Sequence, residues 1–253
     1  MGDVPQLDVQ ATISSIGMWI QRQLHIAEKD GIVIGVSGGV DSAVALGLCG
    51  RYTERVRALI LKCHSTGEDI QHARMVSSRF GINPRNIDLT PTYDLLCNTL
   101  GSFSGRSAEG NIKSRLRMCA LYADANTNGY LVCGTTNLTE LTTGYYTKYG
   151  DGGVDIEPLA GLLKREVRAI ASALGVPDEI IYKRPSAGLY PGQFDEDELG
   201  YPYEALDDAT SSLVFGTNFK VPPVARDAVN LRMLATEHKR RMPPRAMGCV
   251  VRR

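Results

Sequence analysis

Nothing in this chain marks a membrane-spanning or secreted protein. No apolar run is long enough to cross a bilayer, and the first residues show no leader pattern. Surplus charge is absent too: 28 Lys and Arg balance 28 Asp and Glu, for a formal net charge of zero. A general nucleic-acid binder carries a basic excess, so nucleic acid is not an expected partner. There are four histidines in 253 residues, and neither His64 nor His72 has a cysteine or acid at a convincing metal spacing. The six cysteines, at positions 49, 63, 97, 119, 133 and 249, form no Cys-x-x-Cys pair. Scattered in this way they read as reduced core thiols of a cytoplasmic protein, not as a disulfide framework or a zinc site. Internal repeats and low-complexity segments are also missing.

What is present is an alternation of apolar runs and helical patterns. Val9, Ile13, Ile16, Ile20 and Leu24 recur every three or four residues, which predicts an N-terminal amphipathic helix. Residues 32–36 and 56–61 read as buried strands, 86–89 as a short strand and 130–133 as another. Helices are expected over 41–50, 69–80, from Pro91 onward, and over 108–127. This order implies an α/β fold with a parallel, doubly wound sheet flanked by helices, in which ligands bind beyond the carboxyl ends of the strands. Further helices are expected over 163–174, 203–213 and 223–240. Arg184 to Pro202, rich in Gly, Pro and acids, reads as a mobile surface loop. The basic run from Lys239 to Arg245, with Arg252 and Arg253, reads as a solvated helix end, with an anionic ligand as the alternative.

The most informative stretch is Gly35-Val36-Ser37-Gly38-Gly39-Val40-Asp41-Ser42, between the first strand and its helix. Glycines let backbone approach an oxyanion closely, and a helix start offers unpaired N–H groups and a positive dipole end. Ser37 and Ser42 add hydroxyl donors. Asp41 would repel phosphate, so its presence implies a divalent metal between the two, a hard one such as Mg²⁺. The loop is neither a Walker A sequence nor a dinucleotide G-x-G-x-x-G.

The string Ser-Gly-Gly-x-Asp-Ser resembles the pyrophosphate loop of the N-type ATP pyrophosphatases, whose fold is adenine nucleotide alpha hydrolase-like. A denser match narrows the resemblance. Gly110–Met118, Gly134–Glu140, Gly144–Asp155, Lys183–Leu189, Gly192–Gly200 and Glu237–Arg240 look like NAD synthetase segments, in family order along nearly the whole chain. The resemblance implies a single domain over 1–253 without a glutamine amidase domain. It implies a cytoplasmic homodimer that uses ATP, Mg²⁺ and ammonia to convert deamido-NAD to NAD⁺ through an acyl-adenylate.

Site residues follow from the same resemblance. Gly35, Val36, Ser37, Gly38, Gly39, Val40, Asp41, Ser42, Thr135, Lys164 and Ser186 would bind ATP. Asp41 and Glu140 would share the metal. Arg115, Lys148, Asp155, His238 and Lys239 would hold deamido-NAD. Asp41, Glu140, Lys164 and Asp151 would form the catalytic set, with Asp151 orienting or deprotonating ammonia beside Tyr122 of the partner subunit. The chain departs from the common pattern at Asn137-Leu138-Thr139, which stands before Glu140 in place of His-Ala-Ala, and at Ser186, where many relatives have Thr. A non-catalytic adenine-nucleotide-binding module of the same architecture would ordinarily lack both Asp41 and Glu140. A thiolating relative would favour a cysteine pair, which is missing.

Overall fold

The computed structural model describes residues 7–101, 105–217, 219 and 221–245. Cys249, Arg252 and Arg253 lie outside the described residues. In chain order the elements are α1 (Val9–Ile26), β1 (Ile32–Gly35), α2 (Val40–Tyr52), β2 (Val56–Lys62), α3 (Gly67–Arg79), β3 (Arg85–Asp88), α4 (Thr90–Leu100), α5 (Arg106–Asn128), β4 (Leu131–Cys133) and α6 (Leu138–Thr143). Then follow α7 (Lys164–Leu174), α8 (Asp178–Ile181), α9 (Asp195–Leu199), α10 (Tyr203–Phe215), α11 (Pro223–Ala235) and α12 (Glu237–Arg240).

Four parallel strands form one sheet in the order β3-β2-β1-β4, with Ile32 of β1 beside both Val56 and Leu131. The chain runs outward from β1 through β2 to β3, then crosses back to place β4 on the other side of β1. The direction of winding therefore switches between β1 and β4. At such a point the loops leaving the two strands part and open a crevice. The loops in question are Val36–Gly39 and Gly134–Asn137.

Strand alternation divides the core into two layers. Ile32 and Ile34 of β1, with Ala58, Ile60, Leu131 and Cys133, pack against α1, α2 and α7. Val33, Leu59, Leu61 and Val132 face the other way, onto Ala125 and Leu121 of α5. Helix α2 is buried almost continuously from Val40 to Cys49, because it lies between the sheet and the outer helices. That burial makes its N-terminus a rigid platform for the loop before it. A third cluster, Leu199, Tyr203, Leu206, Ala209 and Val229, joins α9, α10 and α11. Among the described residues no helix is long and apolar enough to cross a membrane.

Three expectations change. The segment 184–202 is not a bare polar loop: it contains α9 and buries Gln193, Asp195 and Leu199. The helix expected over 223–240 breaks at Thr236 into α11 and α12. The basic run is not simply solvated. Lys239 Nζ donates to the carbonyls of Gly144 and Tyr146, both at 2.7 Å, and Arg240 donates to Leu141 O at 3.0 Å. These cations finish the C-terminal end of α6, whose last carbonyls would otherwise lack donors. Cys49, Cys63 and Cys133 are buried thiols as expected, whereas Cys119 is exposed.

Candidate active site

The glycine loop after β1 is stitched by its own serines. Ser42 Oγ donates to Gly39 O at 2.9 Å and accepts from Ser37 N at 3.2 Å, while Gly39 N donates to Ser37 Oγ at 3.2 Å. Gly38 has φ +87, and a Cβ there would stand 2.4 Å from Asp69 O. Only glycine combines that backbone with that closeness to α3. The loop lines a cavity of about 450 Å³ at the switch point. Thr135, Glu140, Asp151, Lys164, Ser186 and Lys239 line the same cavity.

Against this cavity stands a charged cluster drawn from five elements. Lys164 Nζ lies 2.5 Å from Asp41 Oδ2 and 3.2 Å from Glu140 Oε1. Asn137 Nδ2 donates to Asp41 Oδ1 at 2.9 Å. Asn137 also caps α6 through Glu140 N, and the Glu140 carboxylate accepts from Asn137 N in return. The capping box thus fixes Glu140 at the first turn of α6. The Tyr203 hydroxyl sits 3.4 Å from Glu140 Oε1 and 3.1 Å from Asp195 Oδ2, and Lys164 Nζ lies 5.0 Å over the Tyr203 ring. Asp207, from α10, accepts from Lys164 N, Arg165 N and Thr139 Oγ1, and so caps α7 and ties it to α6.

The electrostatics follow from three acids around one ammonium. Burial lowers the Lys164 pKa, but Asp41 and Glu140 outweigh it and hold the ammonium above its ordinary value. Burial, with Asp41 nearby, pushes Glu140 up to about 8 against the pull of Lys164. The lysine therefore stays charged beside these acids. Asp195 is also raised, chiefly by burial.

The remaining residues separate into two groups. Ser114 Oγ donates to Asp151 Oδ1 at 2.6 Å and Thr147 N donates to it at 3.0 Å. Both bonds fall on Oδ1. Of the five residues expected at deamido-NAD, only Lys239 lines the cavity. Arg115 is exposed and donates to Lys148 O at 3.3 Å, Lys148 Nζ donates to His238 O, and His238 is exposed. These three make one linked patch beside α12. Asp155 accepts from Val132 N at 2.7 Å and from Tyr122 Oη at 2.9 Å. Within the chain, then, Tyr122 pairs with Asp155 and not with Asp151. Ser186 lies on the 184–202 segment, which forms one wall of the cavity, and its Oγ accepts from Gly188 N at 3.1 Å.

Sequence reasoning missed Asn137, Asp195, Tyr203 and Asp207 as site residues. The spacing Asn137-x-x-Glu140 was a visible capping pattern. No local pattern marks Asp207, whose partners lie 42, 43 and 68 residues away.

A parallel sheet with an oxyanion-type loop at its switch point, facing a buried acid–lysine cluster, defines a nucleotide-dependent enzyme of the α/β class. The NAD synthase family model matches residues 12–243, and the chain belongs to that family. It is 42% identical over 224 residues to an NH(3)-dependent NAD(+) synthetase from Finegoldia magna, covering 88% of this chain and 90% of that protein. A namesake from Thermoplasma volcanium is 41% identical over 239 residues, covering 93% and 97%. Among solved structures, an NMN synthetase from Francisella tularensis superposes with a TM-score of 0.88 at 34% identity, covering 96% and 100%. An NH3-dependent NAD synthetase from Campylobacter jejuni gives 0.81 at 26% identity, covering 94% and 99%.

Proposed function

We propose that this protein amidates the nicotinate carboxylate of deamido-NAD with ammonia, consuming ATP and releasing AMP and pyrophosphate. The observation that carries this reading is the single cavity in which the glycine loop after β1 faces Asp41, Lys164 and Glu140, in a chain of the NAD synthase family. A carboxylate is a poor acyl donor, because oxide is not a leaving group. Attack of its oxygen on the α-phosphorus of ATP forms an acyl-adenylate and expels pyrophosphate. Ammonia then attacks the acyl carbon and AMP leaves.

The loop residues Gly35 to Ser42 offer backbone N–H groups and hydroxyls to the phosphates, with Thr135 and Ser186 reaching ATP from the other walls. Lys164 supplies a positive charge toward the leaving phosphate. Among the described residues no three acidic, histidine or cysteine side chains stand close enough to hold a metal together. Asp41 and Glu140 are still a hard two-carboxylate donor set. That fits Mg²⁺, which binds through one or two carboxylates and completes its shell with waters and phosphates. When bound it would offset charge on the departing pyrophosphate. Asp151, anchored through Oδ1, keeps Oδ2 for a proton from ammonium.

Arg115, Lys148, Asp155 and His238 bind deamido-NAD in this reading. They lie outside the cavity, with Arg115, Asp155 and His238 exposed and Lys148 half-buried, which suits a dinucleotide site completed by a second copy of the chain. The setting is the cytoplasm, where buried thiols such as Cys49 and Cys133 stay reduced. The likeness to the Francisella protein favours one second reading, in which the acceptor is the mononucleotide counterpart of deamido-NAD. The test compares kcat/KM for the two acceptors alongside Asp41→Asn and Glu140→Gln. The proposal expects deamido-NAD to be preferred at least tenfold, and each variant to lose about two orders of magnitude or more in turnover, as removal of one charge-stabilising group typically does. Preference for the mononucleotide would establish the second reading, and near-normal turnover in both variants would remove the shared-metal role.

A further inference from the structure

Lys164 stands where the metal of the proposed reaction would have to be. Its ammonium makes contact with both carboxylates, at 2.5 Å to Asp41 and 3.2 Å to Glu140. A divalent ion held by Asp41 and Glu140 would repel the ammonium and compete for the two oxygens that it now contacts, Asp41 Oδ2 and Glu140 Oε1. Lys164 cannot leave the cluster altogether, because its backbone N–H is fixed by Asp207 and its side chain is only 3% exposed.

One acceptor nearby is left over. Asp195 is 4% exposed, lines the same cavity, and has no hydrogen-bond partner on Oδ1. Its Oδ2 is held by Tyr203 Oη at 3.1 Å, and the Tyr203 ring already carries the Lys164 ammonium 5.0 Å from its centre. A buried carboxylate oxygen without a donor is destabilising, and a second state that supplies a donor relieves that cost. Lys164 is the cation whose charge already acts on Asp195, and the Tyr145 hydroxyl also lies beside this carboxylate. The aromatic face between the two positions favours a cation along the way.

We propose that Asp195 is a positioning residue for Lys164. When a divalent cation occupies Asp41 and Glu140, Asp195 Oδ1 receives the ammonium and keeps it aimed into the cavity. Asp195 belongs to the 184–202 segment that forms one wall of the cavity, and its N–H is bonded to Pro185 O, one residue before Ser186. Filling the cation position therefore fastens this segment through Lys164. The inference rests on the metal reading of the proposed function, since only the metal moves the lysine.

The test is Mn²⁺ binding to the nucleotide-free protein, followed by electron paramagnetic resonance, in a double-mutant cycle. Asp195→Asn should weaken Mn²⁺ binding about tenfold or more, because the displaced ammonium has lost its receiver. Lys164→Met should tighten binding, and in that background Asp195→Asn should have no effect. Tyr203→Phe, which keeps the ring but removes the hydroxyl that orients Asp195 through Oδ2, should show a smaller loss that also vanishes with Lys164→Met. It carries the test if circular dichroism shows that Asp195→Asn does not fold. An equal loss in both backgrounds would overturn the proposal, since a direct ligand or a merely structural residue acts whether or not the lysine is present. No loss in either background would overturn it as well. Asp41→Asn separates the two levels: if Mn²⁺ binds equally well without Asp41, the metal reading itself has failed.

Discussion

Asp207 caps a helix to which it does not belong: from α10, its Oδ1 accepts the backbone N–H of Lys164 at 3.2 Å, the first residue of α7. Its Oδ2 accepts Arg165 N at 2.8 Å, and Thr139 Oγ1 completes the set at 2.5 Å. One buried carboxylate thus holds together the two helices that present Lys164 and Glu140. Asp207→Ala strands two helix N–H groups and a buried hydroxyl, and should lower unfolding stability by about 2–4 kcal/mol. A urea titration measures it, and a loss under half a kcal/mol would contradict the bracing role.

Gly38→Ala should damage both the fold and nucleotide binding. The φ of +87 opposes any L side chain, and the new Cβ would meet Asp69 O at 2.4 Å. Left-handed backbone alone costs roughly 1–2 kcal/mol, and the steric contact adds to it. The expected result is a lower melting temperature with ATP affinity reduced at least tenfold by calorimetry. Unchanged ATP binding would show that the loop does not hold the nucleotide.

Asp124 predicts a pH dependence on the far side of the sheet. The hydrogen bond from Arg57, at 2.5 Å, and Arg85 at 3.3 Å hold this buried carboxyl below its ordinary value. A depressed native pKa stabilises the fold above the unfolded value, near ~3.9, and that contribution disappears as pH falls through the lower native value. Asp124→Asn should therefore be less stable than the parent at pH 7, and the gap should close steadily below about pH 4. Denaturation midpoints from pH 2 to 7 give the answer; a gap independent of pH would exclude the charge pairing as its cause.

The parts that were legible in the sequence share one property: their partners are close in the chain or of one chemical kind. The apolar runs of β1, β2 and β4 announce themselves because parallel strands buried on both faces need continuous apolar residues. The loop from Gly35 to Ser42 does so because its serines bond within eight residues of one another. The segment 184–202 was misread for the opposite reason. Its polar composition suggests solvent, yet Gln193 is buried by bonds to Leu189 N and to Glu198, with Tyr145 contributing from another element. Asp195 and Tyr203 likewise become site residues only through Glu140, 55 and 63 positions earlier. Short α6 was hidden because six residues are too few to establish a helical period.

The nitrogen donor should be free ammonia. Curated relatives at 41–42% identity are named NH(3)-dependent. With glutamine freed of ammonium as sole donor, NAD⁺ formation should fall at least a hundredfold below that with ammonium chloride. Comparable rates would require an amidase activity.

The central claim is cleavage of ATP between its α- and β-phosphates to activate a nicotinate carboxylate. Incubation of the protein with ATP, Mg²⁺, ammonium chloride and deamido-NAD carrying ¹⁸O in its carboxylate, followed by mass spectrometry, tests it directly. The account predicts NAD⁺, AMP and pyrophosphate in equal amounts, with one ¹⁸O transferred to the AMP phosphate. ADP and inorganic phosphate as products, or AMP without the label, would contradict it.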